Sequence, residues 1–272
     1  MDKTTKINEE SWNDLVRSEV PCGRPNLKLT PSKARKYLDK FGILGDVKNK
    51  NVLCLASGGG QQSVGFALMG ANVTVVDFSE EQLRKDALAS NKLSLNIRTV
   101  KSDMRDLSMF KDSEFDIVYQ PYSINYICKT DEVFDEVKRV LKKSGIYHLM
   151  FHNPYVHGSW QDGCWGSKWD KKDLWQGKGY PIWQPYIDGY PIKTNDQHWN
   201  FEKLNGEKVS LPSPQEFKHT LSTVINGLIS RDFKLLLFKE YQGKDFIAPV
   251  GTWDHYISVV PPWFFLWLSK EK

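Results

Sequence analysis

An apolar run, Val52-Leu-Cys-Leu-Ala-Ser57, leads into Gly58-Gly59-Gly60 and then into the helix-like segment that begins Gln61-Gln62-Ser63. Glycines at such a junction permit a sharp turn and let a ligand approach main-chain N–H groups at a helix start. Asp77 lies nineteen residues beyond Gly58 and closes the next apolar run. A carboxylate in that place can accept both hydroxyls of a ribose. Strand, glycine loop, helix and acid together point to an adenosine-containing ligand. A tight strand–helix turn with a capping aspartate is the plainer alternative.

Two ligands share this layout. A dinucleotide requires a cradle for its pyrophosphate, and Gly58-x-Gly60-x-x-Ser63 nearly supplies one. S-adenosylmethionine has no phosphate; it needs the loop for its amino-acid end, the acid for its ribose and a polar group after the third strand for adenine. Lys101-Ser-Asp103-Met104-Arg-Asp-Leu107 follows the third strand-like run directly. There Asp103 can accept from the adenine amino group, while Met104 or Phe78 packs on the ring; the plainer role for Asp103 is a helix N-cap. This segment, and the lack of a Tyr-x-x-x-Lys pair, disfavour a nicotinamide-dependent oxidoreductase.

The elements that must position these residues are legible from periodicity. Strand candidates fall at 51–56, 72–77, 95–100, 115–120 and 146–151, separated by helix patterns, the signature of βαβ units and a parallel sheet. Ser79-Glu-Glu-Gln82 reads as a capping box that opens a helix to about residue 88. Val133, Val137, Val140 and Leu141 mark a second helix, ended by Ser144-Gly145. Ser213-Pro-Gln-Glu216 predicts the start of a last helix, with Phe217, Leu221, Val224, Ile225, Leu228 and Ile229 on its apolar face. Two late strands, 233–241 and about 253–260, are expected to form an antiparallel hairpin at the sheet edge. Ahead of the first strand, helices are expected at 11–20 and 32–41. The expected organisation is a helical cap (1–50), a ligand-binding core (51–154), an aromatic insertion (155–212) and a closing helix and hairpin (213–272).

Composition narrows the class. The 272 residues are 40% hydrophobic and 26% charged, ordinary globular values. The longest apolar run, 263–268, is far short of the roughly 20 residues that a membrane helix needs. No apolar stretch occurs in the first ten residues and the four cysteines form no CxxC pair, so a cytoplasmic protein without disulfides or metal is expected. The net charge of +4 is diffuse, which argues against nucleic acid as a partner. Six of the ten tryptophans crowd into residues 160–199. Their faces can stack on a ring or hold a cation, which marks the insertion as a substrate lid; a small aromatic core is the plainer reading.

Residues 51–154 resemble the core of class I S-adenosylmethionine-dependent methyltransferases. VLCLASGGGQQS is similar to their first motif, VTVVDFSEEQL to the second, SDMRDL to the adenine segment and FDIVYQPYSINYI to the fourth strand and its loop. KRVLKKSGIYHLMF resembles the helix, glycine turn and fifth strand, and the GGGQQ form resembles a bacterial subset of small-molecule type. The resemblance implies a three-layer α/β fold. Its Rossmann-like sheet has about seven strands, mostly parallel with an antiparallel last strand, and helices on both faces. It implies a cofactor site of Ser57, Gly58, Gly59, Gly60, Gln62, Asp77, Phe78, Gln82, Asp103, Met104, Gln120 and Pro121. The acceptor is then expected to be a small molecule, methylated at O, N or S. Cys54 stands where the family carries an acid and Ala56 where it carries its first glycine. Gln62 or a residue of the N-terminal helices is expected to take over the acid's work.

In-line methyl transfer relies on positioning and desolvation, with a general base where the acceptor carries a proton. Ligands of open α/β sheets sit beyond the strand ends, which singles out Tyr122, Asn125 and His152. His148, Met150 and His152 alternate on one strand face, so packing is the rival role for His152. His219, in a FKHTL segment similar to one that lies near the acceptor in related enzymes, is a further candidate. The rival role puts it in the first turns of the last helix, off the apolar face. His198 is supported only by its setting among aromatics. A cofactor-binding protein without methyltransferase activity remains the alternative outside catalysis, because of Cys54.

Overall fold

The computed structural model describes residues 2–20, 23–157, 180, 182, 184–192, 198–203, 205–250 and 252–272. Trp160, Trp165, Trp169, Trp175 and Trp183 lie outside the described residues, so most of the expected lid does too.

Strands β1 (Asn51–Leu55), β2 (Asn72–Asp77), β3 (Ile97–Lys101), β4 (Phe115–Gln120) and β5 (Leu141–His152) pair in parallel. Two small pairings lie beyond β5, β6 (Tyr190–Pro191) with β9 (Phe217–Lys218) and β7 (His198–Glu202) with β8 (Lys208–Pro212). Strands β10 (Phe233–Glu240) and β11 (Trp263–Lys270) complete a seven-stranded sheet of order β10-β11-β5-β4-β1-β2-β3. β11 runs antiparallel to both its neighbours. Before β1 come α1 (Lys3–Arg17) and α2 (Pro31–Leu38); α3 (Gln62–Leu68), α4 (Glu80–Leu93) and α5 (Asp131–Val140) connect the early strands. α6 (Leu221–Ile229) precedes β10 and α7 (Trp253–Val259) precedes β11.

Alternation along the strands builds the layers. Leu53 and Leu55 join Val133, Phe134 and Val137 of α5 and Val224 and Leu228 of α6 on one face. Val52 and Cys54 meet Leu38 of α2, Val64 and Phe66 of α3 and Leu83 and Ala89 of α4 on the other. The fold is therefore the three-layer Rossmann-like sheet that the resemblance implied.

The late elements correct the sequence reading. Residues 253–259 form a helix capped by Thr252, whose side chain accepts from the His255 N–H, and the last strand is 263–270. That strand lies between two others and is buried on both faces, so it reads as a continuous apolar run rather than an alternating one. The helix expected from Ser213 starts at Leu221, with Thr220 as its cap. Tertiary partners claim the residues that would have capped it earlier: Asn8 Oδ1 accepts the Gln215 N–H, and Tyr122 donates to Glu216. α1 begins at Lys3 rather than residue 11, with Asp2 accepting from the Thr5 N–H. β5 begins five residues early, and Ser144, not Gly145, takes the left-handed conformation at its bulge.

α1 crosses the carboxyl ends of the strands. Asn8 Nδ2 donates to the Tyr126 and Gln215 carbonyls, and the Ser79 hydroxyl donates to Asn13 Oδ1. Leu15 and Val16 of the same helix pack on Trp199, Phe201 and Leu211 of the β7–β8 hairpin.

Candidate functional site

Beneath α1, at the carboxyl ends of β1, β2, β4 and β5, lies a cavity of about 290 Å³. Ala56, Ser57, Gly58, Gln61 and Gln62 line it from the glycine loop; Asp77, Phe78, Gln82 and Met104 follow from the next strands and helix. Pro121, Tyr122 and Ser123 close the far side, with Met150 of β5. Trp12, Leu15, Tyr37, Tyr126 and Trp199 form an aromatic roof. Apart from Tyr126, which lies in the motif of the fourth strand and its loop, the roof comes from segments with no motif in the sequence, and only the number of tryptophans hinted at it.

The loop is a close approach. A Cβ on Gly58 would stand 2.6 Å from Gln82 Cβ, so only glycine fits between β1 and α4 there. Asp77 holds that turn, accepting the Gly58 N–H at 2.9 Å and the Ser79 N–H at 2.8 Å. Burial pushes its carboxyl up to about 6 against those two bonds. Ala56 has φ +45°, a left-handed conformation that costs a residue with a Cβ about 1–2 kcal/mol. Ser57 Oγ donates to Gln62 Oε1 at 3.1 Å, and Gln62 Nε2 donates to the Tyr37 hydroxyl at 3.2 Å. This chain ties the loop to α2 of the roof.

Of the expected cofactor residues, Ser57, Gly58, Gln62, Asp77, Phe78, Gln82, Met104 and Pro121 line the cavity. Gly59, Gly60, Asp103 and Gln120 are not among its lining. Gly59 and Gly60 turn their amides away, toward Asp86 of α4. The Asp103 carboxylate is gripped by Arg105, with bonds of 3.0 and 2.6 Å, and it caps its own turn by accepting the Arg105 N–H. Gln120 is fully buried below the site, donating to Ser123 Oγ and accepting from the Tyr147 hydroxyl.

Of the catalytic candidates only Tyr122 reaches the cavity. Asn125 is a structural bridge, donating to the Phe217 carbonyl and accepting the His152 N–H. His219 is buried against the Ile124 carbonyl at 3.1 Å, just ahead of α6 rather than within it. His152 stacks on His157 at 4.3 Å between ring centroids, and burial holds both well below the ordinary histidine range. His148 is packed between Tyr119 and Trp267 and is pushed down to about 3 by burial. His198 is exposed on β7.

Two carboxylates escaped the sequence reading. Glu216 passed for a capping-box acid, yet its Oε2 accepts the Tyr122 hydroxyl at 2.7 Å and lies 2.5 Å from His157 Nε2. Asp86 is fully buried on α4, where its Oδ2 accepts the Gly59 N–H at 2.8 Å and its Oδ1 accepts the Ser63 hydroxyl. Its signal was present: it falls in the helix stripe with Leu83 and Ala89, where an acid is out of place.

A doubly flanked parallel sheet with an inserted antiparallel strand and a glycine-walled cavity at its carboxyl end defines the class I methyltransferase architecture. A profile of the methyltransferase domain family matches residues 53–149. The chain is 46% identical over 246 residues to the uncharacterized methyltransferase YbaJ of Bacillus subtilis, spanning 89% of this chain and 88% of that protein. The fold is similar to an S-adenosylmethionine-dependent methyltransferase of Mesorhizobium loti (TM-score 0.65, 19% identity, 90% and 100% of the two chains). It is also similar to geranyl diphosphate C-methyltransferase of Streptomyces coelicolor in complex with S-adenosylhomocysteine (TM-score 0.55, 12% identity, 88% and 79%). The chain belongs to the S-adenosylmethionine-dependent methyltransferases, and S-adenosylmethionine is its cofactor. The lining fits that group: Gly58 keeps bare backbone in the wall, where a Cβ would stand 2.6 Å from Gln82 Cβ, and the Asp77 carboxylate lines the same wall as an acceptor for the ligand's hydroxyls.

Proposed function

We propose that this protein methylates a small acceptor that loses a proton in the reaction, a hydroxyl, thiol or amine, bound under the aromatic roof. The observation that carries the reading is the placement of Tyr122. Tyr122 lines the cavity, and its hydroxyl donates to a carboxylate that is not among the cavity's lining residues. Asp77 and Gln82 would accept from the ribose of the cofactor, Ser57 and Gly58 would meet its amino-acid end, and Phe78 and Met104 would pack on its adenine. The cofactor supplies an activated methyl on a sulfonium. Trp12, Tyr126 and Trp199 give the acceptor an apolar, water-poor bed, which suits a reaction whose charge disperses in the transition state.

Tyr122 and Glu216 handle the proton. Burial beside Glu216 holds the Tyr122 hydroxyl well above its usual range, so it rests protonated. Burial also raises Glu216 above the ordinary carboxylate range, which brings it closer to the working pH of a base. As a carboxylate Glu216 can only accept, so His157 carries its proton on Nε2. The acceptor's proton passes to Tyr122 oxygen as the Tyr122 proton moves to Glu216.

Replacing Asp77 by Ala should weaken S-adenosylhomocysteine binding by about 1.5–3 kcal/mol, roughly 10- to 150-fold, the worth of charge-assisted bonds. The cofactor-free protein should also melt lower, because Asp77 holds the Gly58 and Ser79 amides. Calorimetry against S-adenosylhomocysteine and NAD checks the assignment; an unchanged dissociation constant in the variant sinks it. Label transfer from methyl-labelled S-adenosylmethionine to a panel of phenols, thiols and amines tests the acceptor class. Cofactor binding without label transfer to any of them would favour the binding-protein alternative.

A further inference from the structure

Cys54 leaves the glycine loop without the acid that the resemblance places on β1, and the thiol that stands there is buried and uncharged. Its surroundings are apolar side chains of β1, β2 and α3, and burial pushes its ionisation well up. A carboxylate is nevertheless present beneath the loop, and it comes from the other side. Asp86 reaches in from α4 and takes two donors of the loop and its helix, the Gly59 N–H and the Ser63 hydroxyl.

Those bonds orient the peptide in front of them. In a trans peptide the N–H and C=O point in opposite directions. With the Gly59 N–H aimed at Asp86, the Gly58 carbonyl of the same peptide is aimed away from it, and Gly58 lines the cavity. The carboxylate thus fixes one main-chain acceptor and places a negative charge behind it. Among the described residues no cation pairs with Asp86. The groups that face it are the Cys54 thiol of β1, the Asp77 carboxylate of β2, the Ser63 hydroxyl of α3 and the loop amides. A buried charge so placed is costly, and a cationic ligand beyond the loop would relieve it.

We propose that Asp86 is the positioning residue for the ammonium of the cofactor's amino-acid end, doing from α4 the work that Cys54 cannot do from β1. The proposal rests on the methyltransferase reading of the cavity. Burial, with Asp77 as a like-charged neighbour, raises the Asp86 carboxyl to about 7 in the cofactor-free protein. Near neutral pH a substantial fraction is therefore protonated, and an arriving ammonium favours the ionised form. Cofactor binding should then release a proton.

The test is calorimetric. S-adenosylhomocysteine is titrated at pH 7 in two buffers of different ionisation enthalpy, and about half a proton should be released per ligand bound. Asp86→Asn keeps one acceptor for Gly59 while removing the charge. It should lose most of that release and weaken S-adenosylhomocysteine about tenfold. It should change 5′-methylthioadenosine, which lacks the amino-acid end, by less than about threefold. Adding Cys54→Asp to Asp86→Asn should recover part of the lost affinity. An equal loss for both ligands would show that Asp86 merely shapes the loop and overturn the proposal. So would the absence of proton release from the wild-type protein, a result that needs no variant to fold. Failure of the wild type to bind either ligand would instead strike the methyltransferase reading itself.

Discussion

Glu216→Gln is expected to lower kcat by about 10²- to 10⁴-fold, the usual range for a lost general base, with S-adenosylhomocysteine affinity unchanged. Gln keeps an acceptor oxygen for Tyr122 but can no longer take its proton. Tyr122→Phe removes the hydroxyl through which the proposed relay runs and should cost a similar factor. The two residues form one path, so the double variant should be little worse than either single one. The pH profile separates this role from a merely structural bond between Tyr122 and the 213–219 segment. The base must be ionised, and burial raises its pKa, so wild-type kcat should fall as pH drops through a point above the ordinary carboxylate range. In Glu216→Gln that limb should vanish. A variant that keeps the limb, or that loses cofactor affinity in step with kcat, would refute the relay.

Cys54→Asp should lower the melting temperature by about 5–15 °C, since a buried, unpaired carboxylate costs several kcal/mol. Cys54 is fully buried among Val52, Val64, Phe66 and Val75. Asp86 already raises the ionisation of the thiol through its charge, so a second carboxylate at position 54 would meet like charge as well as an apolar wall. Restoring the family's acid therefore harms this chain. Cys54→Ser, polar but uncharged, controls for the loss of the sulfur, and calorimetric scanning of the two variants decides. A Cys54→Asp protein that melts with the wild type would mean that the space beneath the loop is not committed to Asp86.

Much of the core was legible because parallel strands and glycine turns leave local marks. The 79–82 cap is specified by neighbours within a few residues, and Gly58 and Asp77 are marked by where they stand, each at the carboxyl end of a strand-like run. The misreadings arose where the deciding contact is remote. Ser213 to Glu216 carries every local mark of a helix start, but Asn8 and Tyr122, far away in the chain, take up its polar groups. Residues 253–259 suit a strand by composition, but the Thr252 cap and the central position of β11 settle otherwise. Glu216 was opaque for the same reason, since it acts through partners on other elements, whereas Asp86 left a local mark as an acid in the buried stripe of α4.

The roof has a bearing on the timing of turnover. The α1 helix over the cavity is moored by Asn8 to the 215 segment, by Asn13 to Ser79, by Glu9 to Lys101 at 2.9 Å and by Asp2 to Arg105 at 3.0 Å. Arg105 is also the residue that grips Asp103, so the mooring at the helix's first turn shares an anchor with the segment after β3. A spent cofactor that left past this helix would require these polar ties to part, and the rate of that parting would then set a ceiling on turnover that the chemical step could not raise. Loosening a mooring would then speed release while weakening retention. A faster enzyme with a leakier grip on its product would differ from this one at Asn8 or Asn13, well away from the reacting atoms.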